Sequence, residues 1–342
     1  MKMSLVSRTF CKSLCLMALL QADVVLGASD DDDESTDFFT FTFENDVFVG
    51  KDAGYTNGTG ITVGSAGFSE FNNDNVPGWI YWLIKDRYIS TEPDKNRAIA
   101  HMFFQRMQTP TEITDRAFIA DDLPYAGLLA WQGTAYSWDE HVSDQLSLYL
   151  GMVGPASLAE QSQIAIHKMI GADAPRGWGH QLKNEPIVKI EMQRTWSLYR
   201  NESSRLQYDV VGLGGMGLGN LKSAAKAGFA VRWGTNLSAS VGAFSLQADR
   251  HVNPLAFTDT NDFYLFAGVR AGYVANDILI DGNTFTDSPS LALEHFQNEG
   301  AAGAIWSRNR WAFVFALSSS SSRTELTSDR ESHGAFSVTY RH

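Results

Sequence analysis

The chain has 342 residues, of which 44% are hydrophobic, 12% aromatic and only 19% charged; it carries 29 glycines and a net charge of −12. An aromatic, sparsely charged mix of this kind excludes a disordered chain, and the acidic balance makes nucleic acid an unexpected partner. Beyond the N-terminus no apolar run approaches the roughly 18 residues that a membrane-spanning helix needs, which excludes a helical membrane protein.

Lys2, Arg8 and Lys12 precede the apolar run Leu14 to Leu20, and Val25-Leu26-Gly27 follows. This order predicts a secretory signal peptide over residues 1–27. Its removal takes Cys11 and Cys15 together with three Lys/Arg and one Asp, and moves the net charge from −12 to −14. The exported chain then has no thiol for a disulfide, a metal site or a nucleophile. Residues 28–36, with the acidic run Asp30 to Glu34, read as a solvated leader.

From residue 37 the apolar period becomes two. Phe39, Phe41 and Phe43 alternate with Thr40, Thr42 and Glu44, and Val188, Ile190 and Met192 with Lys189, Glu191 and Gln193. Trp311, Phe313 and Phe315 alternate with Ala312, Val314 and Ala316 near the C-terminal end. A soluble β-sandwich alternates too, but export without disulfides suits the bacterial outer membrane. There every backbone polar group must be paired, which demands a closed barrel with an even strand number. The expected fold of residues 37–342 is an all-β transmembrane antiparallel β-barrel of 12 strands. They are placed near 37–47, 56–67, 97–108, 125–138, 144–153, 185–199, 204–216, 223–236, 262–279, 291–307, 311–319 and 333–342. An even count puts both termini in the periplasm and the loops after odd strands outside the cell. Segments 68–96 and 237–261 then fall on the periplasmic side although they are long; in the first, Trp79 to Lys85 reads as a short interfacial helix with aromatic anchors.

The third outside loop, about 154–184, carries a strong helical signal. Ser157-Leu158-Ala159-Glu160 fits a capping box and Gly171 a C-terminal stop. Gln163 and His167, four apart, share a helix face. A lone helical histidine is more often structural than catalytic, but two polar clusters reach the same end of the barrel. Glu44-Asn45-Asp46 ends the first strand and Tyr55-Thr56-Asn57-Gly58 begins the second. By themselves these also fit an ordinary Asn/Asp/Gly turn. With His167 they offer oxygen ligands for a hard cation beside an imidazole that can take a proton from water, the parts of a metal-assisted ester hydrolysis.

Five stretches together carry a family resemblance: Glu44-Asn45-Asp46, Tyr55-Thr56-Asn57-Gly58, Leu123-Pro124-Tyr125-Ala126-Gly127, Gln163-x-x-x-His167, and Gly177-Trp178-Gly179-His180-Gln181-Leu182-Lys183-Asn184-Glu185-Pro186. The sequence resembles the lipid A 3-O-deacylases of Gram-negative outer membranes over essentially its whole exported length. The resemblance implies a twelve-stranded barrel at the outer membrane, a lipid A or lipopolysaccharide substrate, Ca2+ as cofactor, and hydrolysis of the 3′-linked acyloxyacyl ester. It implies His167 as general base, Gln163 as a supporting amide, Asp173 as the acid six positions after the histidine, and Asn45, Asp46 and Thr56 as the calcium and substrate cluster. Where the family has a tyrosine two positions after that acid this chain has Pro175. Where the family has a lysine soon after the Thr109-Pro110 pair, Arg116 stands as the substitute cation.

Two rival readings remain at this stage: a serine-type acyl hydrolase or acyltransferase, for which no Gly-x-Ser-x-Gly is present, and a passive pore or adhesin. The inward residues inferred for several strands are small, which disfavours a pore. A monomer is expected.

Overall fold

The computed structural model describes residues 36–45, 54–241 and 261–342, with the backbone alone for 54–57 and 170. The signal peptide and the leader up to residue 35, and Asp46, lie outside the described residues. Twelve strands form: β1 (Thr36–Asn45), β2 (Gly54–Phe68), β3 (Asn96–Thr109), β4 (Ala126–Trp138), β5 (Val142–Val153), β6 (Glu185–Asn201), β7 (Gln207–Gly219), β8 (Lys222–Gly234), β9 (Phe263–Asp277), β10 (Phe296–Arg308), β11 (Trp311–Ser320) and β12 (Glu331–Arg341). Each pairs antiparallel with its sequence neighbours, and β1 pairs with β12, so the sheet closes. The expected strand count, order and fold class are all observed.

Alternation sets the two faces. Val188, Ile190 and Met192 point outward and are 49%, 53% and 41% exposed, while Glu191 and Gln193 point inward and are buried. Phe39, Phe41 and Trp311 are exposed on the same outer surface, which Phe313 shares by strand parity. The closing seam is fixed from inside by hydroxyl pairs, Thr40 with Thr339 at 2.8 Å and Thr42 with Ser337 at 3.0 Å. Cysteines placed singly at 39, 41, 188, 190, 311 and 313 are expected to react with lipid-soluble thiol reagents and resist water-soluble ones; labelling of the set by water-soluble reagents would overturn this face assignment.

The lumen differs from the one expected. Long charged residues face inward in pairs: Lys189 with Glu191, Lys222 with Asp277 at 2.8 Å, Arg270 with Glu299 at 2.5 Å, and Arg323 with Glu331 at 2.9 Å. The small inward residues are real, but they make room for these chains: a side chain at Gly217 would run into Lys189 Cε. At the end holding both termini, the segment 235–241 enters the lumen. Arg232 donates bidentately to Asp209 at 2.9 and 2.5 Å and also to the carbonyls of Leu237 and Ser240 at 3.0 and 3.1 Å; Leu237 and Val241 are fully buried. At the opposite rim a single helical turn, here α4 (Ile278–Asp281), buries Ile278 and Ile280. Beside it Gln108 donates to Leu279 O at 2.9 Å and accepts from Arg323 at 2.9 Å. A cavity of about 240 Å³ lies within the lumen, lined by Gln108 and Leu279 and by Lys226, Arg270 and Glu299. Arg232 and Asp209 are both fully buried, and without Arg232 the carboxylate keeps only the more distant Arg200, 3.7 Å away, so removing Arg232 leaves a poorly compensated buried charge, a loss of up to about 3–5 kcal/mol. Arg232→Met is therefore expected to convert the barrel to its unfolded gel mobility at a clearly lower temperature, and an unchanged transition would show that Asp209 is compensated elsewhere.

The segment after β2 docks on the outside of β3–β6. It holds α1 (Gly78–Ile84), close to the expected interfacial helix, and α2 (Tyr88–Thr91). Ile80 and Ile84 bury against Ile99 and Ala135, whereas Trp79, Trp82 and Leu83 are exposed; the Trp79 ring also packs 5.6 Å from that of Trp131. Arg97 gathers the carbonyls of Ser69, Ser90, Glu92 and Lys95. Tyr88 donates to Asp144 at 3.2 Å, and burial followed by that carboxylate pushes its hydroxyl up to about 12, so it remains a donor across the neutral range.

Candidate functional site at the outer rim of the barrel

At the rim opposite the termini a second helix, α3 (Ala159–Ile170), lies against the outer wall. Its position follows from one missing side chain. Gly127 points outward from β4, and a Cβ there would run into Ser157 Oγ and Ala159 Cβ, so only glycine lets the helix approach this closely. Met107, Tyr125, Ala159 and Trp178 form the buried seam between wall and helix, and the Tyr125 and Trp178 rings meet at 4.9 Å. Gln105, also outward on β3, donates to Ser157 O at 2.6 Å.

The helix starts differently from the expected capping box. Pro155–Ser157 form a 3₁₀ turn, Leu158 takes the N-cap place in the left-handed region with φ 60°, and no side chain caps the helix. Ser157 is fully buried against the wall, which draws it out of the cap position; its Oγ makes only a long 3.4 Å contact with Ala159 N. The stop is as expected: Gly171 is left-handed at φ 76° and its N–H bonds His167 O.

Gln163 and His167 are thus on one helix, with different surroundings. Gln163 is 1% exposed, and its Oε1 accepts the indole N–H of Trp178 at 2.7 Å, whereas its Nε2 has no partner among the described residues. His167 is half-buried, and its Nδ1 lies 2.5 Å from the main-chain oxygen of Asp173. A carbonyl only accepts, so Nδ1 carries the hydrogen and Nε2 keeps its lone pair free to take a proton. Asp173 therefore meets the histidine through its backbone, and its own side chain is exposed.

The other candidates stand around this seam at different distances from it. Asn45 ends β1, one step past the Glu44↔Gly58 pair, on the outward parity of Phe39 and Phe41. Thr56 is the unpaired residue of a β-bulge in β2, between Tyr55↔Gln108 and Asn57↔Met107, next to the partner of the Met107 that packs under α3. Arg116 is exposed in the loop between β3 and β4. That loop is tied to the loop after α3 through Ile113 O, which accepts from Arg176 N at 2.8 Å and Tyr125 Oη at 3.1 Å. Among the described residues no group of three or more His, Cys, Asp or Glu comes together. The donor types at the β1–β2 end, an amide, a hydroxyl and the adjacent Asp46 carboxylate, suit a hard oxygen-seeking cation. Trp178 and Gly127 went unassigned in the sequence reading, although both lie within motifs quoted there.

Three comparisons bear on this arrangement. No curated protein matches the sequence. Among solved structures the barrel is similar to LpxR from Salmonella typhimurium, with a TM-score of 0.71 at 16% identity over 89% of this chain and 99% of that one. It is more distantly similar to the translocator domain of the autotransporter NalP from Neisseria meningitidis, at TM-score 0.44 and 11% identity over 98% and 99% of the two chains. The family model described as outer membrane protein LpxR matches residues 12–342. The chain therefore belongs to the LpxR family of outer membrane proteins, with the closed barrel of that family and a helix seated on its outer wall.

Proposed function

We propose that this protein is a lipid A 3-O-deacylase that hydrolyses the 3′-linked acyloxyacyl ester in the outer leaflet, with the α3 rim facing the cell exterior. The observation that carries this reading is the placement of α3 against the outer wall instead of over the lumen. A lipid in the bilayer presents its ester bonds at the headgroup boundary, alongside that wall, so it reaches the site without leaving the membrane. His167 Nε2 takes a proton from water, the resulting hydroxide attacks the ester carbonyl, and the proton passes to the departing sugar oxygen. Gln163 supports the reacting group, Asp173 fixes the imidazole through its carbonyl, and Arg116 meets an anionic group of the substrate. Asn45, Asp46 and Thr56 would hold calcium, which when bound would polarise the carbonyl and offset negative charge on protein and lipid.

The rivals meet specific obstacles. A serine–histidine hydrogen bond exists, Ser318 Oγ to His333 Nε2 at 3.0 Å, but it joins cross-strand partners facing inward, away from lipid. A passive pore is opposed by the segments that enter the lumen, 235–241 held by Arg232 and α4 held by Gln108. The test is expression of the chain in a Gram-negative host lacking such an activity. Extracted lipid A is expected to lose the mass of one acyloxyacyl unit, and an unchanged lipid A profile with folded barrel in the outer membrane would reject the reading.

A further inference from the structure

The polarity of the Gln163 amide is fixed by its partner. An indole N–H can only donate, so the atom facing Trp178 at 2.7 Å must be the carboxamide oxygen. The NH2 group is left on the other side, within a residue that is 99% buried, without a partner among the described residues. A buried donor left unmade costs about 1–3 kcal/mol, a cost that a merely structural glutamine on a helix would shed by exposing its amide or turning it to a protein acceptor. Trp178 itself is held by the Tyr125 ring at 4.9 Å and by the 3₁₀ turn Trp178–His180, so its N–H is aimed before any substrate arrives.

We infer that Trp178 is a positioning residue that locks Gln163 as a hydrogen-bond donor, and that Gln163 Nε2 donates to an oxygen of the bound lipid ester. The inference rests on the hydrolytic reading above and deepens it. It assigns the glutamine a direction: the indole fixes which end of the amide is the oxygen, and the group left without a partner among the described residues is the Nε2 donor. The acceptor is an ester or developing oxyanion oxygen, the group at which a preorganised donor is most effective.

Three single variants and one double variant test this on the full-length barrel in detergent, with heat-modified gel mobility as the folding check and product mass as the assay. Trp178→Phe keeps an aromatic ring against Tyr125 and removes the donor together with part of the buried indole; it is expected to lower kcat about 10-fold or more with KM little changed. Gln163→Glu still accepts from Trp178 but has no donor at neutral pH, and it is expected to lose at least as much as Gln163→Ala. Because Trp178 acts through Gln163, adding Trp178→Phe to Gln163→Ala should cause little further loss, whereas independent structural roles would give multiplied losses. Multiplied losses, or a Gln163→Glu variant with near-parental kcat, overturn the assignment while leaving the hydrolytic reading intact. A folded parental protein that leaves lipid A unchanged overturns both.

Discussion

Replacing His167 by alanine is expected to lower turnover on lipid A by about 10² to 10⁴, the contribution of a positioned proton-transfer group, while the barrel keeps its folded gel mobility. The size of this effect follows from the local geometry. The Asp173 carbonyl occupies Nδ1, so the remaining nitrogen is the basic one and needs no rearrangement to act. The stability cost should be small because the side chain is half-buried at a helix end and away from the buried seam of Met107, Tyr125, Ala159 and Trp178. His167→Asn should be as slow as alanine, since an amide has no basic nitrogen. An alanine variant with near-normal turnover would return His167 to the ordinary role of a surface helix residue.

Replacing Asp46 by alanine, or adding excess chelator to the parent, is expected to abolish hydrolysis. A hard cation at the β1–β2 end would draw on one anionic ligand there, and amide and hydroxyl oxygens alone bind such an ion weakly. Folding should be untouched, because the cylinder is held by twelve antiparallel strand pairings, to which one carboxylate beside a strand end adds little. Calcium restored after chelation should return activity to the parent and not to the Asp46 variant. Full activity in chelator, or in Asp46→Ala, would remove calcium from the reaction and leave His167 to be explained without it.

The barrel was legible in the sequence because its signal is local and repeated: Phe39-Thr40-Phe41-Thr42 states which side each residue faces without reference to any partner strand. What the lumen contains was harder to read, because Lys222–Asp277 and Arg323–Glu331 pair residues from different strands or across a loop, and only register brings them together. The helix in the third long rim loop was visible, yet its start was misread. Ser157-x-x-Glu160 has capping-box spacing, but burial of Ser157 against Gly127 sets the entry angle and forces Leu158 left-handed. Asp173 was singled out only as the acid six positions after the histidine, and no spacing shows that its backbone oxygen is the atom that meets the imidazole. Which wall the helix leans on cannot be read from any periodicity; it depends on the absent side chain at Gly127 and on the Trp178 indole arriving from a separate turn.

Purified protein tests directly whether this rim cleaves a lipid ester. Lipid A incubated with the folded barrel and calcium should yield a product lighter by one acyloxyacyl unit, with that unit recovered as a free acid still bearing its secondary chain. Lipid A recovered at its starting mass, from protein that runs as a folded barrel, would show that the rim does not cleave it.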